Sequence, residues 1–292
     1  MGKDRELLGK TIIITGATDG IGKELARMTW QAGANLVLHG RNPQKLAALL
    51  HSFSEGLPGQ QAMTVKADFS RLQDVREMAA QIQEMVHRID VLVNNAGFYP
   101  DCRVITEDGF EECNQVNYLS PFLLTNLMRA QLIESAPMRI INLSSIGHRF
   151  VWSNVNASST HPFYWRWVAY CRTKLDIIPF TRELAEQLNE YGITVNCIHP
   201  GIIRTKVIRF LPVSWGSSVH SGAATVYRLI ADPALATVTG EYFERYKITR
   251  PTLVAQSKRY QAALWRLSLR RVGLKQEADG SIVQRSPNQN DQ

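Results

Sequence analysis

The sequence predicts an α/β fold: a doubly wound parallel sheet with helices on both faces, in a single domain. Three observations lead there. Short apolar runs alternate with longer amphipathic ones, the pattern of repeated βαβ units. A strand-like run, a glycine-rich turn and a helix-like run follow one another directly near the N-terminus. No linker rich in Gly, Pro or Ser divides the 292 residues, a length that suits one large domain with a well-buried core.

The elements follow in order. Thr11–Thr15 is β-branched and apolar, and Gly16 ends it. A helix over Ile21–Ala32 stops at Gly33, the residue type that favours a left-handed C-cap. A strand Asn35–His39 leads to a helix over Pro43–Leu50, whose opening Asn42-Pro43 suits a first helical turn. Further strands are expected at Ala62–Lys66, Val91–Asn94, Arg139–Leu143 and Thr194–Ile198, with helices over Leu72–Arg88, Phe110–Glu134, Trp167–Asn189 and Ser221–Ile230. Pro179 lies inside one of these helices and is expected to kink it. Residues 1–273 form the predicted domain, and the polar tail over 274–292 is expected to be disordered.

Composition narrows the function classes. Lys and Arg exceed Asp and Glu by 33 to 26, a net charge of +7. That charge is spread along the chain, with one modest cluster at Arg266, Arg270 and Arg271, so no nucleic-acid partner is predicted. Cys102, Cys113, Cys171 and Cys197 form no C-x-x-C pair and have no clustered His. This predicts neither a metal site nor a disulfide framework, and fits a reducing, cytoplasmic compartment. Met1–Lys10 is too polar for a signal peptide, and no apolar run reaches transmembrane length.

The chemistry begins at Thr15-Gly16-Ala17-Thr18-Asp19-Gly20-Ile21-Gly22. Gly16 permits a sharp turn out of the strand, Gly20 a close approach of backbone to pyrophosphate, and Gly22 close helix–strand packing. The first helical turn then presents N–H groups and the positive end of its dipole to phosphate. After the second strand comes His39-Gly40-Arg41-Asn42. Gly40 stands where an acid would hold the ribose hydroxyls of NAD, and Arg41 suits a 2′-phosphate, which favours NADP(H). Asp68, after the third strand, suits an adenine amino group or an N-cap for a helix beginning near Arg71. Asn94-Asn95-Ala96-Gly97 suits a close cofactor passage, a tie between strands or an ordinary turn. Tyr170 and Lys174 stand four apart and share a helix face, where an ammonium would lower a phenol pKa.

Taken together, Gly16/Gly20/Gly22, Asn94-Asn95-Ala96-Gly97, Ser144-Ser145, Tyr170 and Lys174 resemble the short-chain dehydrogenase/reductase family, from about Leu8 to Tyr246. Phe69, Gly147-His148, Cys171, Gly240-Glu241-Tyr242-Phe243 and Leu264-Trp265 resemble its retinol-dehydrogenase-like branch. The resemblance implies a Rossmann fold with Tyr170 as general acid or base, Lys174 on the nicotinamide ribose and Ser145 on the substrate oxygen. It implies that Asn117 organises a relay water, and that Pro200, Gly201 and Thr205 help close the cofactor site. It also implies homodimer pairing through Phe110–Glu134 and Trp167–Asn189, subject to Pro179 and an apolar C-terminal helix around Leu264–Leu269. Two departures stand out. Ser145 and Tyr170 are 25 residues apart, around an aromatic insertion, and an N-terminal membrane anchor like that of many branch members is not expected.

The insertion, with Trp152, Phe163, Tyr164, Trp165 and Trp167, and the segment from Ile202 to Val219, with Val207, Ile208, Phe210, Leu211, Val213 and Trp215, are rich in large apolar side chains. Such segments build pockets for lipophilic molecules or pack a core beneath a loop. The expected activity is hydride transfer between NADP(H) and a carbonyl or alcohol of a hydrophobic, retinoid-, steroid-, lipid- or polyketide-like substrate. The alternatives are reductive or cyclising biosynthetic tailoring on the same fold, and a non-catalytic NADP-binding regulator.

Overall fold

The computed structural model describes residues 5–151, 165–203 and 216–285. The main sheet comprises β1 (Thr11–Ile14), β2 (Asn35–Gly40), β3 (Ala62–Lys66), β4 (Val91–Asn94), β5 (Arg139–Leu143), β6 (Thr194–His199), β7 (Tyr242–Glu244) and β8 (Lys247–Ile248). Their order is β3-β2-β1-β4-β5-β6-β7-β8. Every pairing is parallel except the last, β7 with β8. The chain order reverses at β1, which lies between β2 and β4 and so creates a crevice at its carboxyl end.

The helices are α1 (Gly20–Gln31), α2 (Pro43–His51), α3 (Leu72–Met85), α4 (Glu112–Asn114), α5 (Ser120–Leu127), α6 (Arg129–Glu134), α7 (Arg166–Leu188), α8 (Val219–Ala231), α9 (Leu253–Gln256) and α10 (Lys258–Arg271). Alternation along the strands distributes them. Ile13 pairs with Val37 and Leu92, and all three face the core shared with α3, α5 and α7. Ile12 and Ile14 point to the opposite core, filled by Leu25 of α1, Leu49 of α2 and Val226 of α8.

The six parallel strands read from the sequence are present, with ends within a residue of expectation. Three features matter. The helix expected over Phe110–Glu134 is divided: a π-helical segment, Gln115–Leu119, separates α4 from α5, and Met128 breaks α5 from α6. Such a segment holds one extra residue per turn and re-aims its side chains. Second, α7 continues through buried Pro179 as one run, and Thr181 Oγ1 donates to the Ile177 carbonyl 2.7 Å away.

Third, residues 274–285 are ordered where a disordered tail is expected. Leu274–Gln276 (β9) and Ile282–Gln284 (β10) form an antiparallel hairpin. Polarity alone hides the reason. Leu274 is buried, Trp265 Nε1 donates to Gln276 Oε1 at 3.1 Å, and Arg285 N bonds the Gly273 carbonyl at 2.9 Å.

Helix α10 completes one core. The Trp265 ring meets Phe122 edge-on at 5.0 Å and stacks on Phe180 at 6.3 Å. Tyr118 and Ser268 share a buried hydrogen bond of 2.7 Å, and Tyr260 donates to Asp176 at 2.5 Å. This helix therefore lies on part of the α5–α7 surface that the family resemblance implies for pairing. Trp265→Ala is expected to cost about 3–5 kcal/mol of stability, read as a lowered denaturation midpoint. Leu253→Ala, at a side chain in open solvent, is expected to change it little.

Candidate active site

The glycine corner sits at the reversal point, at the end of β1. Gly16 has φ +66°, and a β-carbon there would lie 2.8 Å from Ala96 Cα. One on Gly22 would lie 2.4 Å from the Gly16 carbonyl oxygen and 2.5 Å from Asn95 Nδ2. Asn95 fills that space by donating to the carbonyls of Thr15 (2.8 Å) and Gly16 (3.2 Å). Thr15 Oγ1 accepts the N–H groups of Asn95 and Ala96, both at 3.0 Å. Asp19 caps α1 by accepting from Gly20 N at 2.9 Å. Asn94 ties sheet to helix, donating to Asn142 Oδ1 at 2.8 Å and Thr125 Oγ1 at 3.1 Å. Of the readings open for Asn94–Gly97, the strand tie is therefore present.

A second strap was invisible in the sequence. His39 is buried at the end of β2. Its Nδ1 accepts from Gly16 N at 3.2 Å, and its Nε2–H reaches the Ala67 carbonyl at 3.1 Å. These partners assign the neutral tautomer, and the ring stacks on Phe69 at 4.3 Å. Burial holds its pKa down to about 4. One histidine thus joins the ends of β2 and β3 to the glycine turn. A lone His on an apolar strand carries no sequence signal for that role.

Gly40 has a steric reason. A β-carbon there would lie 2.5 Å from Thr18 Cγ2 and 3.1 Å from Leu46 Cδ2, so a larger side chain would have to displace them. Arg41 is exposed and makes no hydrogen bond or ion pair among the described residues. Asp68 is not the cap of α3: Arg71 holds that position, and Asp68 Oδ1 closes a turn by accepting from Ser70 N (3.0 Å) and Ser70 Oγ (2.8 Å).

The second group of residues converges on the same crevice from the other side. Asn117 lies in the π-helical segment. It bonds Phe98 twice, donating to the carbonyl and accepting the N–H, both at 2.9 Å, and donates to Thr173 Oγ1 at 3.3 Å. A β-carbon on Gly97 would lie 3.1 Å from Asn117 Oδ1 and 3.5 Å from Lys174 Nζ. Lys174 Nζ donates to the Leu143 carbonyl at 2.9 Å and stands 5.7 Å from the Tyr170 ring centre. Ser144 Oγ holds the Lys174 carbonyl at 2.7 Å. Ser145 Oγ accepts from Gly147 N at 3.1 Å and hydrogen-bonds the Tyr170 phenol.

The electrostatics differ from the sequence expectation. Burial pushes the Tyr170 phenol well above the ordinary tyrosine value, and the Ser145 hydrogen bond only partly opposes it. Burial also brings Lys174 down to about 8. In the isolated protein, desolvation outweighs the lysine's pull on its neighbour. The site therefore holds its phenol in the protonated form.

A family model described as short chain dehydrogenase matches residues 10–212. The chain belongs to the short-chain dehydrogenase family. It is similar to retinol dehydrogenase 13 of Homo sapiens, at 36% identity covering 91% of this chain and 85% of that protein. Among solved structures it is similar to an uncharacterised Mycobacterium paratuberculosis protein, with TM-score 0.76, 26% identity and coverage of 93% and 98% of the two chains. It is also similar to the Pseudomonas aeruginosa RhlG/NADP active-site complex, with TM-score 0.68, 26% identity and coverage of 84% and 97%. These matches establish a retinol-dehydrogenase-like oxidoreductase from a family that binds nicotinamide cofactors and acts on small molecules. No helix among the described residues is long and apolar enough to cross a membrane.

The structure therefore brings Gly16, Thr18, Asp19, Gly20, Ile21, Gly22, Asn95, Ala96 and Gly97 to one side of the crevice, with Asn117, Ser145, Tyr170 and Lys174 on the other. Pro200 and Gly201 follow β6, with Gly201 at φ +104°. Thr205, the insertion residues Trp152, Phe163 and Tyr164, and the apolar side chains over 207–215 lie outside the described residues.

The histidine strap has a pH signature. His39 titrates at 6.5 ordinarily and about 4 when folded, so between these values the unfolded chain binds more protons. Its stabilising contribution is fully present above pH 6.5 and is lost as the pH falls toward 4, by up to about 3 kcal/mol. Urea unfolding of wild type against His39→Asn across this window is expected to show a shallower acid slope in the variant.

Proposed function

We propose that this chain transfers a hydride between NADP(H) and the carbonyl or alcohol carbon of a hydrophobic small molecule. The observation that carries this reading is the convergence of Ser145, Tyr170, Lys174 and Asn117 on the crevice at the glycine corner. The residues fit a dinucleotide: the missing β-carbons of Gly16 and Gly22 let the turn close against Ala96 and Asn95, so that α1 starts directly at the carboxyl end of β1 with its first N–H groups toward the crevice. In this reading Gly16–Gly22 hold the pyrophosphate, Asp68 the adenine, Arg41 the 2′-phosphate, Asn95–Gly97 and Lys174 the nicotinamide ribose, and Pro200, Gly201 and Thr205 close the site. The bound nicotinamide supplies or takes the hydride.

The protein's own residues handle the proton. In the reducing direction, Ser145 holds the carbonyl oxygen as negative charge develops there, and the Tyr170 phenol gives that oxygen its proton. Asn117, fixed by its two bonds to Phe98, orients the replenishing water. Alcohol oxidation runs the same steps backward. The absence of an acid at Gly40, a position crowded by Thr18 and Leu46, supports NADP(H) over NAD(H). The aromatic rings of Tyr99 and Trp167, 5.5 and 6.5 Å from the Tyr170 ring, support an apolar substrate. Pairing as a homodimer fits poorly on the face that α10 covers. Four free thiols suit the cytoplasmic location that belongs to this reading.

Turnover of NADPH with a panel of aldehydes and ketones tests the reading. Bulky apolar carbonyls are expected to outperform small polar ketones; the reverse order would sink the substrate class. Tyr170→Phe is expected to lose about 10²–10⁴-fold in kcat while NADPH binding persists. Unchanged turnover would remove Tyr170 from the mechanism. Arg41→Ala is expected to weaken NADPH binding about 10- to 100-fold and NADH binding hardly at all. Equal losses would mean that Arg41 touches no 2′-phosphate.

A further inference from the structure

Next to Tyr170 the surface opens into a cleft of about 560 Å³, within the range of small-ligand sites. Tyr99, Trp165 and Trp167 supply its apolar side, and Asp101, Arg103 and Arg166 its polar side. The rings are continuous with the reacting phenol: Tyr99 lies 5.5 Å from Tyr170 and 6.5 Å from Trp167, measured between centres. The Arg166 guanidinium carbon stands 5.9 Å from the centre of Tyr99.

Arg166 precedes Tyr170 by four residues on α7, so the two share a helix face about 6 Å apart along the axis. Its planar fork of five N–H donors makes no hydrogen bond or ion pair among the described residues. Asp101 and Arg103 carry opposite charges, so the excess positive charge of the cleft is that of Arg166. A neutral apolar chain lying here would desolvate that cation and offer it no partner. A carboxylate would meet the fork with two parallel charge-assisted bonds.

We propose that this cleft selects a substrate built as an apolar chain with a carbonyl at one end and a carboxylate at the other, and that Arg166 binds the carboxylate. The inference rests on Tyr170 being the group that meets the carbonyl. It makes Arg166 a specificity-determining residue outside the proton-transfer set. The carboxylate would sit one to two helical turns from the reacting carbon, with Tyr99 and Trp167 against the intervening chain.

The test compares a medium-chain fatty aldehyde, of a length that spans one to two helical turns, with its ω-carboxylate counterpart of equal length, using the full chain and NADPH. At low salt, the ω-carboxylate is expected to show a KM about tenfold lower, a preference that added salt erodes. Arg166→Gln is expected to erase the preference while leaving kcat and the neutral aldehyde's KM within about twofold. Arg166→Lys is expected to keep part of it. A second readout is quenching of tryptophan fluorescence by an unreactive saturated fatty acid, expected to need about tenfold more acid in Arg166→Gln. Equal KM values for the two aldehydes, or equal losses for both in Arg166→Gln, would overturn the carboxylate site and leave the redox reading intact. Failure of wild type to turn over any aldehyde, with fatty-acid quenching still dependent on Arg166, would overturn the role of Tyr170 and uphold the anion site.

Discussion

The close approach of β1 and β4 at their carboxyl ends is the constraint on which the rest depends. Only a missing β-carbon at Gly22 lets the Gly16 carbonyl and the Asn95 amide occupy the same few ångströms. With that contact made, Asn95 can bridge Thr15 and Gly16, and α1 can start directly over the strand. His39 then braces the same turn from β2. The crevice is thus shaped by backbone and by short polar side chains whose hydrogen bonds are already committed. Little reorganisation is left for a ligand to drive, which is the physical content of a preformed site.

Burial sets the chemistry beyond that turn, and it acts in opposite directions on neighbouring groups. The phenol of Tyr170 is pushed up and the ammonium of Lys174 down, so both lean toward their neutral forms. Adjacency in sequence suggests a lysine that sharpens a tyrosine's acidity. In three dimensions the ammonium instead donates to the Leu143 carbonyl, and the hydrogen bond from Ser145 works against desolvation. The charge balance of the site is therefore poised for a ligand that brings charge of its own.

Much of this was legible in one dimension because its signals are local. Strand-turn-helix succession, Tyr170 four before Lys174, and the glycines at 16, 20 and 22 need no partner from far along the chain to be read. The illegible parts are those decided by contacts distant in sequence. His39 needed Gly16 and Ala67 to acquire a role. The π-helical segment around Asn117 answers to Phe98 and Thr173, and nothing within Gln115–Leu119 announces it. Asp68 looked like a cap, but Asp108 accepts from the first N–H of α3. The ordered hairpin after residue 273 rests on Trp265, whose indole N–H reaches back to Gln276.

Helix α10 also dictates a timetable for synthesis. Tyr118 and Ser268 are partners across 150 positions of chain, and Trp265 seals a gap between Phe122 and Phe180. Until the ribosome has made α10, the layer of rings on α5 and α7 faces water uncovered. The N-terminal strands can pair as they emerge, yet that side of the molecule cannot close until α10 has been released. A nascent chain of this protein therefore carries an adhesive apolar surface until α10 emerges, and that interval is when chaperones have most to protect.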